Sequence, residues 1–201
     1  LLSRAGLGGL WSGGNDLYIG AATTVEELFS STELTEVVPG LHRARRLVSS
    51  QPIRHRATVG GNIVNASPIG DLTIMLLGLG AEVGVGQTTA TRTLHLADLF
   101  QGYKRLDLRP GELVRWVRFP LDRRHGRFNF EKVSKRVTLD IASVNSAISL
   151  RVERGVIADA RAAAGGVAPI PLALTATQAF LEGREVSAAT ARGAAAVAAS
   201  E

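Results

Sequence analysis

The chain has 201 residues, 45% hydrophobic and 20% charged, with 22 glycines and no cysteine. That apolar content supports a packed core and excludes a disordered or collagen-like chain. The absence of cysteine excludes disulfides, thiolate zinc sites and any iron–sulfur cluster held by these residues alone. No apolar run reaches the ~18 residues of a membrane helix. The opening LLSRAGLGGLW lacks a cleavage pattern, so the expectation is a cytoplasmic chain with no signal peptide and no membrane span. The net charge is +5. Arginine supplies nearly all of the basic residues, the lysines being Lys104, Lys132 and Lys135. The arginines are scattered and few aromatics are present to stack bases, which argues against nucleic acid as a partner.

In chain order, SGGNDL (residues 12–17) reads as a glycine-rich turn between two extended pieces. Thr24 and Glu27 form a capping-box pattern that opens a short helix through Leu28 and Phe29. Residues 39–50 read as one helix, with Leu41, Ala44, Leu47 and Val48 inside and Arg43, Arg45 and Arg46 outside. Residues 57–65 read as a strand and turn interrupted by Gly60-Gly61. Ser67-Pro68 then reads as an N-cap and first helical position. The helix that follows, to about Leu79, is apolar nearly all round and is expected to be buried.

Short strands are expected at 81–85, 91–96 and 112–119, with a loop at 99–108 around Gly102-Tyr103. Pro120 and the charged stretch 122–127 mark a boundary. Beyond it, 128–134, 144–152 and 156–163 read as three strands, the last two turning at Arg154-Gly155. Phe128, Phe130 and Lys132 share one face of the first of these strands, so Lys132 is expected at an interface and not in water. A helix at about 174–181 and an alanine-rich helix complete the chain. The class is α+β, with one domain over 1–122 and a smaller one over 127–201 whose sheet has three antiparallel strands.

The chain has neither G-x-G-x-x-G nor G-x-x-x-x-G-K-[ST], and no H-E-x-x-H, so it is neither an ordinary Rossmann nor a P-loop protein. His42, His55, His95 and His125 are isolated in sequence and give a metal site no support. What stands out is two glycine pairs, Gly13-Gly14-Asn15-Asp16 and Gly60-Gly61-Asn62. Such turns can expose successive N–H groups as a nest for an anion, and two of them could clamp a diphosphate from both sides. Either turn alone is as readily a ligand-free loop. The second, however, lies in a unit that also carries Thr58, Asn65, Ser67 and Asp71. That is more hydrogen-bonding capacity than capping requires.

At this point the sequence resembles a family. ATVGGNIVNASPIGDL (residues 57–72) resembles the flavin-binding domain of the molybdenum hydroxylases, which include xanthine dehydrogenase and the medium subunit of carbon monoxide dehydrogenase. SGGNDL resembles that family's first pyrophosphate loop, and IGAATTVEEL its next strand and helix. FEKVSKR…DIASVN and ARAAAGGVAPIP resemble its smaller C-terminal domain. The resemblance implies a vanillyl-alcohol-oxidase-type FAD domain, shortened here because Leu17 runs directly into the IGA strand.

It further implies non-covalent FAD. Gly13, Gly14, Asn15 and Asp16 would hold the diphosphate from one side, and Thr58, Gly60, Gly61 and Asn62 from the other. Asn65 and Asp71 would fix polar edges of the cofactor, and Val114 would pack on the ring system. Lys132 would reach the flavin and favour its reduced, anionic form. Tyr103 would cover the face where NAD arrives. The function implied is an electron-transfer subunit, xanthine dehydrogenase-like, with a molybdopterin-binding large subunit and a [2Fe-2S] subunit as partners and NAD as acceptor. The alternatives are a carbon monoxide dehydrogenase or aromatic hydroxylase medium subunit using a quinone, and a scaffold domain that has lost FAD.

Overall fold

The structure is a computed structural model and describes residues 7–87, 90–121, 126–137 and 139–201. It begins with a tight hairpin, β1 (Leu10–Gly13) and β2 (Asp16–Gly20), in which Gly13 pairs with Asp16. The two-residue turn between them has Gly14 at φ 61°, the positive first position that a hairpin turn of this length favours. Short helices follow: α1 (Val25–Ser30), α2 (Thr32–Val37) and α3 (Pro39–Ala44). The capping box is present, with Thr24 Oγ1 accepting from the Glu27 N–H at 3.1 Å and the Thr24 N–H donating to Glu27 Oε2 at 2.7 Å.

The helix expected over 39–50 stops at Ala44 and passes through a tight three-residue helical turn at Arg45–Leu47. Ser49, at φ 48°, then breaks the chain direction before α4 (Gln51–Arg54). The expected strand-and-turn over 57–65 is instead α5 (Val59–Val64), with Thr58 as N-cap and both glycines in its first turn. Next comes α6 (Asp71–Gly78). Ser67 does not cap it. Ala66 takes φ 49°, Ser67 accepts from the Ile69 N–H at 3.4 Å, and the helix starts four residues beyond Ser67.

The rest of the first part is β3 (Glu82–Gly86), β4 (Thr91–His95), a small ribbon of β5 (Phe100–Gly102) and β6 (Arg105–Leu106), and β7 (Leu113–Pro120). One antiparallel sheet takes the order β1-β2-β7-β3-β4. Its solvent face is sealed by Trp11 stacked on Tyr18 at 5.4 Å, Trp116 edge-on to Tyr18 at 5.2 Å, and the Arg118 guanidinium over both rings. The second part holds β8 (Arg127–Val133), β9 (Val144–Glu153), β10 (Val156–Gly165), β11 (Leu172–Ala173), α7 (Thr175–Leu181) and α8 (Ala188–Ser200). Its sheet runs β11-β10-β9-β8, the three expected strands plus a two-residue edge. Of the expected boundary, residues 122–125 lie outside the described residues.

Every residue of α6 from Leu72 to Gly78 is buried. It lies against β9 and β10, so closely that a Cβ on Gly78 would sit 2.6 Å from that of Ala147. Phe130, Ala147 and Ala163 of the second sheet join the same core as Leu17, Ile19 and Val117 of the first. The two parts therefore share one hydrophobic core, with α6 as its central piece.

Arg92 ties β4 to the segment that leads into β7. It donates to Asp107 at 2.8 Å and to both oxygens of Glu112 at 3.0 and 2.8 Å. Hydrogen bonds from Arg92, and then from the Arg109 N–H, pull the Glu112 carboxyl down to about 2. A carboxylate lowered in the folded state stabilises the fold above its unfolded pKa of about 4.3, and that stability is lost as pH falls toward the folded value. Glu112→Gln is therefore expected to be less stable than wild type in urea unfolding at neutral pH. The gap between the two should close as pH drops from about 4.3 to about 2; a gap independent of pH would remove Glu112 from this role.

Candidate functional site

A cavity of about 620 Å³ opens where the loop at 48–53, the segment from α5 into α6, and residues 136 and 139–142 meet. Its polar lining is Asn62, Asn65, Ser67 and Asp71, and its apolar walls include Ile53, Ile69 and Leu72. Leu139 and Ile141, 61% and 73% exposed, stand at its rim. Because α6 starts late, residues 67–70 form a turn that lines the cavity instead of a helical stretch.

The cavity floor is anchored across the two parts of the fold. Lys132 on β8 donates to Asp71 Oδ2 at 2.6 Å and to the Leu47 carbonyl at 2.8 Å. Its side chain is 4% exposed, beside 13% for that of Asp71, so the strand alternation has drawn it to an interface, as the sequence led us to expect. Asn145 of β9 donates to Asp71 Oδ1 at 2.7 Å and to the Ile69 carbonyl at 3.2 Å. Each carboxylate oxygen thus accepts one bond and keeps acceptor capacity.

The β5–β6 ribbon closes on the same rim. Lys104 donates to the Asn65 carbonyl at 2.5 Å and to its Oδ1 at 3.2 Å, and the adjacent Tyr103 is 64% exposed at the ribbon's tip. Lys104 and Asn145 were not singled out as site residues from the sequence. The sequence separations of 39 and 74 residues from their partners left no local signal.

The two glycine turns expected to clamp the diphosphate lie at opposite ends of β2. Gly60 donates to the Ala21 carbonyl at 2.8 Å, just past the end of β2, whereas Gly13, Gly14, Asn15 and Asp16 form the hairpin turn before its start. Five residues of extended chain separate the two ends, roughly 16 Å. Asp16 pairs instead with Arg118 at 3.1 Å and faces a different cavity, with Glu82 and Arg161.

Nor is the second turn a nest of free N–H groups. Val59 donates to Thr23, Gly60 to Ala21, Gly61 to Thr58 Oγ1, and Asn62 to the Thr58 carbonyl. The side chain of Asn62 accepts from Thr73 at 3.3 Å. The glycine at position 60 serves close packing, since a Cβ there would lie 2.7 Å from that of Ala21. Val114 is buried in the sheet core opposite Val85 and is not among the residues that line the cavity. Among the described residues no cluster of His, Asp and Glu could hold a metal ion.

Residues 5–122 match the family described as the FAD binding domain in molybdopterin dehydrogenase. The chain belongs to this family. Residues 130–201 match the CO dehydrogenase flavoprotein C-terminal domain. The chain is 29% identical over 153 residues to the glyceraldehyde dehydrogenase medium chain of Sulfolobus acidocaldarius, covering 76% of this chain and 54% of that one. It is 29% identical over 164 residues to the carbon monoxide dehydrogenase medium chain of Afipia carboxidovorans, covering 82% and 57%. Among solved structures, a carbon monoxide dehydrogenase from Hydrogenophaga pseudoflava superposes with a TM-score of 0.88 at 27% identity, covering 95% of this chain and 66% of that one. The chain therefore spans a little over half the length of these curated relatives.

FAD is the cofactor of this family, and the cavity combines the apolar walls and few polar groups that ligand sites use. Gly60→Val forces α5 away from Ala21 and is expected to cost about 1–3 kcal/mol in urea unfolding and to lower flavin content. Gly14→Ala, at φ 61° with open space around it, is expected to cost about 1 kcal/mol and to leave FAD affinity unchanged. Loss of FAD from Gly14→Ala in spectral titration would return the hairpin turn to the site.

Proposed function

We propose that the chain is the FAD-binding, electron-transferring part of a molybdopterin-dependent hydroxylase. Electrons would arrive from [2Fe-2S] clusters on a partner subunit, with substrate oxidised on a molybdopterin-binding large subunit and NAD as acceptor, as in xanthine dehydrogenase. The observation that carries this reading is the cavity at the seam, lined by Asp71, which Lys132 holds from behind, inside a chain that matches the FAD-binding family over 5–122. The 201 residues contain no cysteine, so cluster thiolates lie outside them, and we assign them to a partner.

FAD, when bound, takes up electrons singly and passes them on as a pair. This chain's own residues position and shield. Asp71 offers a fixed acceptor, held by Asn145 and Lys132. Lys132 sets a cation behind Asp71, from where its charge would favour negative charge added in the cavity. Asn62 and Asn65 supply polar groups along one wall, and Ile53, Leu139 and Ile141 supply exposed apolar surface that a bound ring would cover. Tyr103, beside Lys104 at the rim, would cover the acceptor side.

A second reading is a carbon monoxide dehydrogenase-type medium subunit delivering electrons to a quinone. The C-terminal match and the TM-score of 0.88 favour it. Assays of the assembled enzyme with NAD or a quinone as sole acceptor distinguish the two.

The test of the flavin site is Lys132→Met. It leaves the Asp71 carboxylate buried without its cation, a change that costs about 3–5 kcal/mol in comparable pairs. It is expected to reduce visible flavin absorbance per chain and to lower the potential of the flavin that remains. Unchanged occupancy and an unchanged potential would place Lys132 outside the site.

A further inference from the structure

The segment from α3 to α4 is unusually cationic, and the flavin cavity does not account for it. Arg43, Arg45, Arg46 and Arg54, with His42, line a separate cleft of about 570 Å³. Arg54 forms its base. Its side chain is 10% exposed, and it donates to Glu26 at 2.7 Å and to the carbonyls of Val48 and Ser49 at 2.9 Å each. Arg45 also pairs with Glu26, while its Nε is buried with no acceptor. His42 Nδ1 lies 3.0 Å from the Phe29 carbonyl, so Nδ1 carries the hydrogen and Nε2 is left over. Arg43 and Arg46 are exposed.

Glu26 is the carboxylate that answers these four guanidiniums. Burial pushes its carboxyl up, but hydrogen bonds and charge from Arg54 and Arg45 together hold it below the usual carboxylate range. Each of its oxygens accepts from one of these two arginines. Among the described residues the lining is the His42 imidazole and four arginines, so the cleft offers mainly charge and hydrogen bonds. Guanidinium forks match the oxygens of carboxylates and phosphates bidentately, and four of them around one cleft suit a multiply charged phosphate better than a single carboxylate.

We propose that this cleft is an oxyanion site for a phosphoryl or pyrophosphoryl group, distinct from the flavin cavity. It stands back to back with that cavity. The carbonyls that anchor Arg54 belong to Val48 and Ser49, whose residues line the flavin side of the same loop. The anion, whether free phosphate or the phosphate of a small metabolite, would be held by Arg43, Arg45 and Arg46, with Arg54 as the fixed base.

The experiment is calorimetric titration of the FAD-loaded protein with inorganic pyrophosphate, with phosphate, and with sodium chloride at matched ionic strength. Saturable binding of pyrophosphate but not chloride is expected. The double variant Arg43→Gln/Arg46→Gln changes exposed side chains alone and should weaken binding about tenfold or more. Arg56→Gln, exposed but outside the cleft, should leave it unchanged. A phosphate monoester that binds as tightly as pyrophosphate would identify a metabolite phosphate as the ligand class and support the site. Absence of saturable binding, or binding that survives the double variant, overturns the proposal. Release of FAD by pyrophosphate would overturn the claim of a separate site. Binding of a glutamate-rich peptide without pyrophosphate binding would overturn it in favour of an acidic protein surface.

Discussion

The buried ion pair between Lys132 and Asp71 is the contact on which the arrangement of the rest depends. It joins β8 of the second part to the first turn of α6 at 2.6 Å, and Lys132 also reaches the Leu47 carbonyl. Three separate pieces of chain therefore converge on one ammonium. An unpaired charge in this position is costly, so neither β8 nor the loop before α4 can shift far without breaking the pair. At the other end of α6 the separation is set by contact, with Gly78 packed directly on Ala147. Electrostatics at one end and close packing at the other fix the helix between the sheets, and the cavity is the space left beside its polar end.

How far this was legible in the sequence depends on whether a signal was local. The capping box at Thr24, the all-round apolar α6 and the alternation that buried Lys132 each rest on neighbours within a turn or a strand, and each reading agrees with the structure. The glycine pairs did not yield to the same treatment. Glycine costs roughly 1 kcal/mol in a helix interior, so Val59-Gly60-Gly61-Asn62 was read as a turn. In the fold the cost is offset by the approach of α5 to Ala21, which only a residue without Cβ permits. The same dipeptide at Gly13-Gly14 serves a different end, a two-residue hairpin. Identical letters thus carried two unrelated physical roles, and a shared diphosphate could not be inferred from the dipeptide alone.

Ser67-Pro68 illustrates a related ambiguity. Serine followed by proline is a sound helix-start pattern, yet Ala66 in a left-handed conformation turns the chain and Gly70 stands at the N-cap. The late start places Asp71, not Ser67, in the first turn. Asp71 can then meet Lys132 and Asn145, partners 61 and 74 residues away. No local pattern announces such partners, and the same holds for Arg54 with Glu26 and Lys104 with Asn65.

The position of the cavity also bears on how ligand and fold act on one another. Its walls come from both family-matched parts, since residues 48–72 belong to the first and residues 136 and 139–142 to the second. Anything that fills it is bound by the assembled seam and not by either part when separated, so binding and docking of the two parts are one linked equilibrium. A ligand present at a hundredfold its dissociation constant adds about 2.7 kcal/mol to the bound state. Breaking a buried ion pair by removing one partner costs about 3–5 kcal/mol. The two contributions are of the same order, so a ligand bound at the seam would stabilise it about as much as the Lys132–Asp71 pair does. A ligand bound in this cavity would therefore be linked to the same contacts that hold the two parts together.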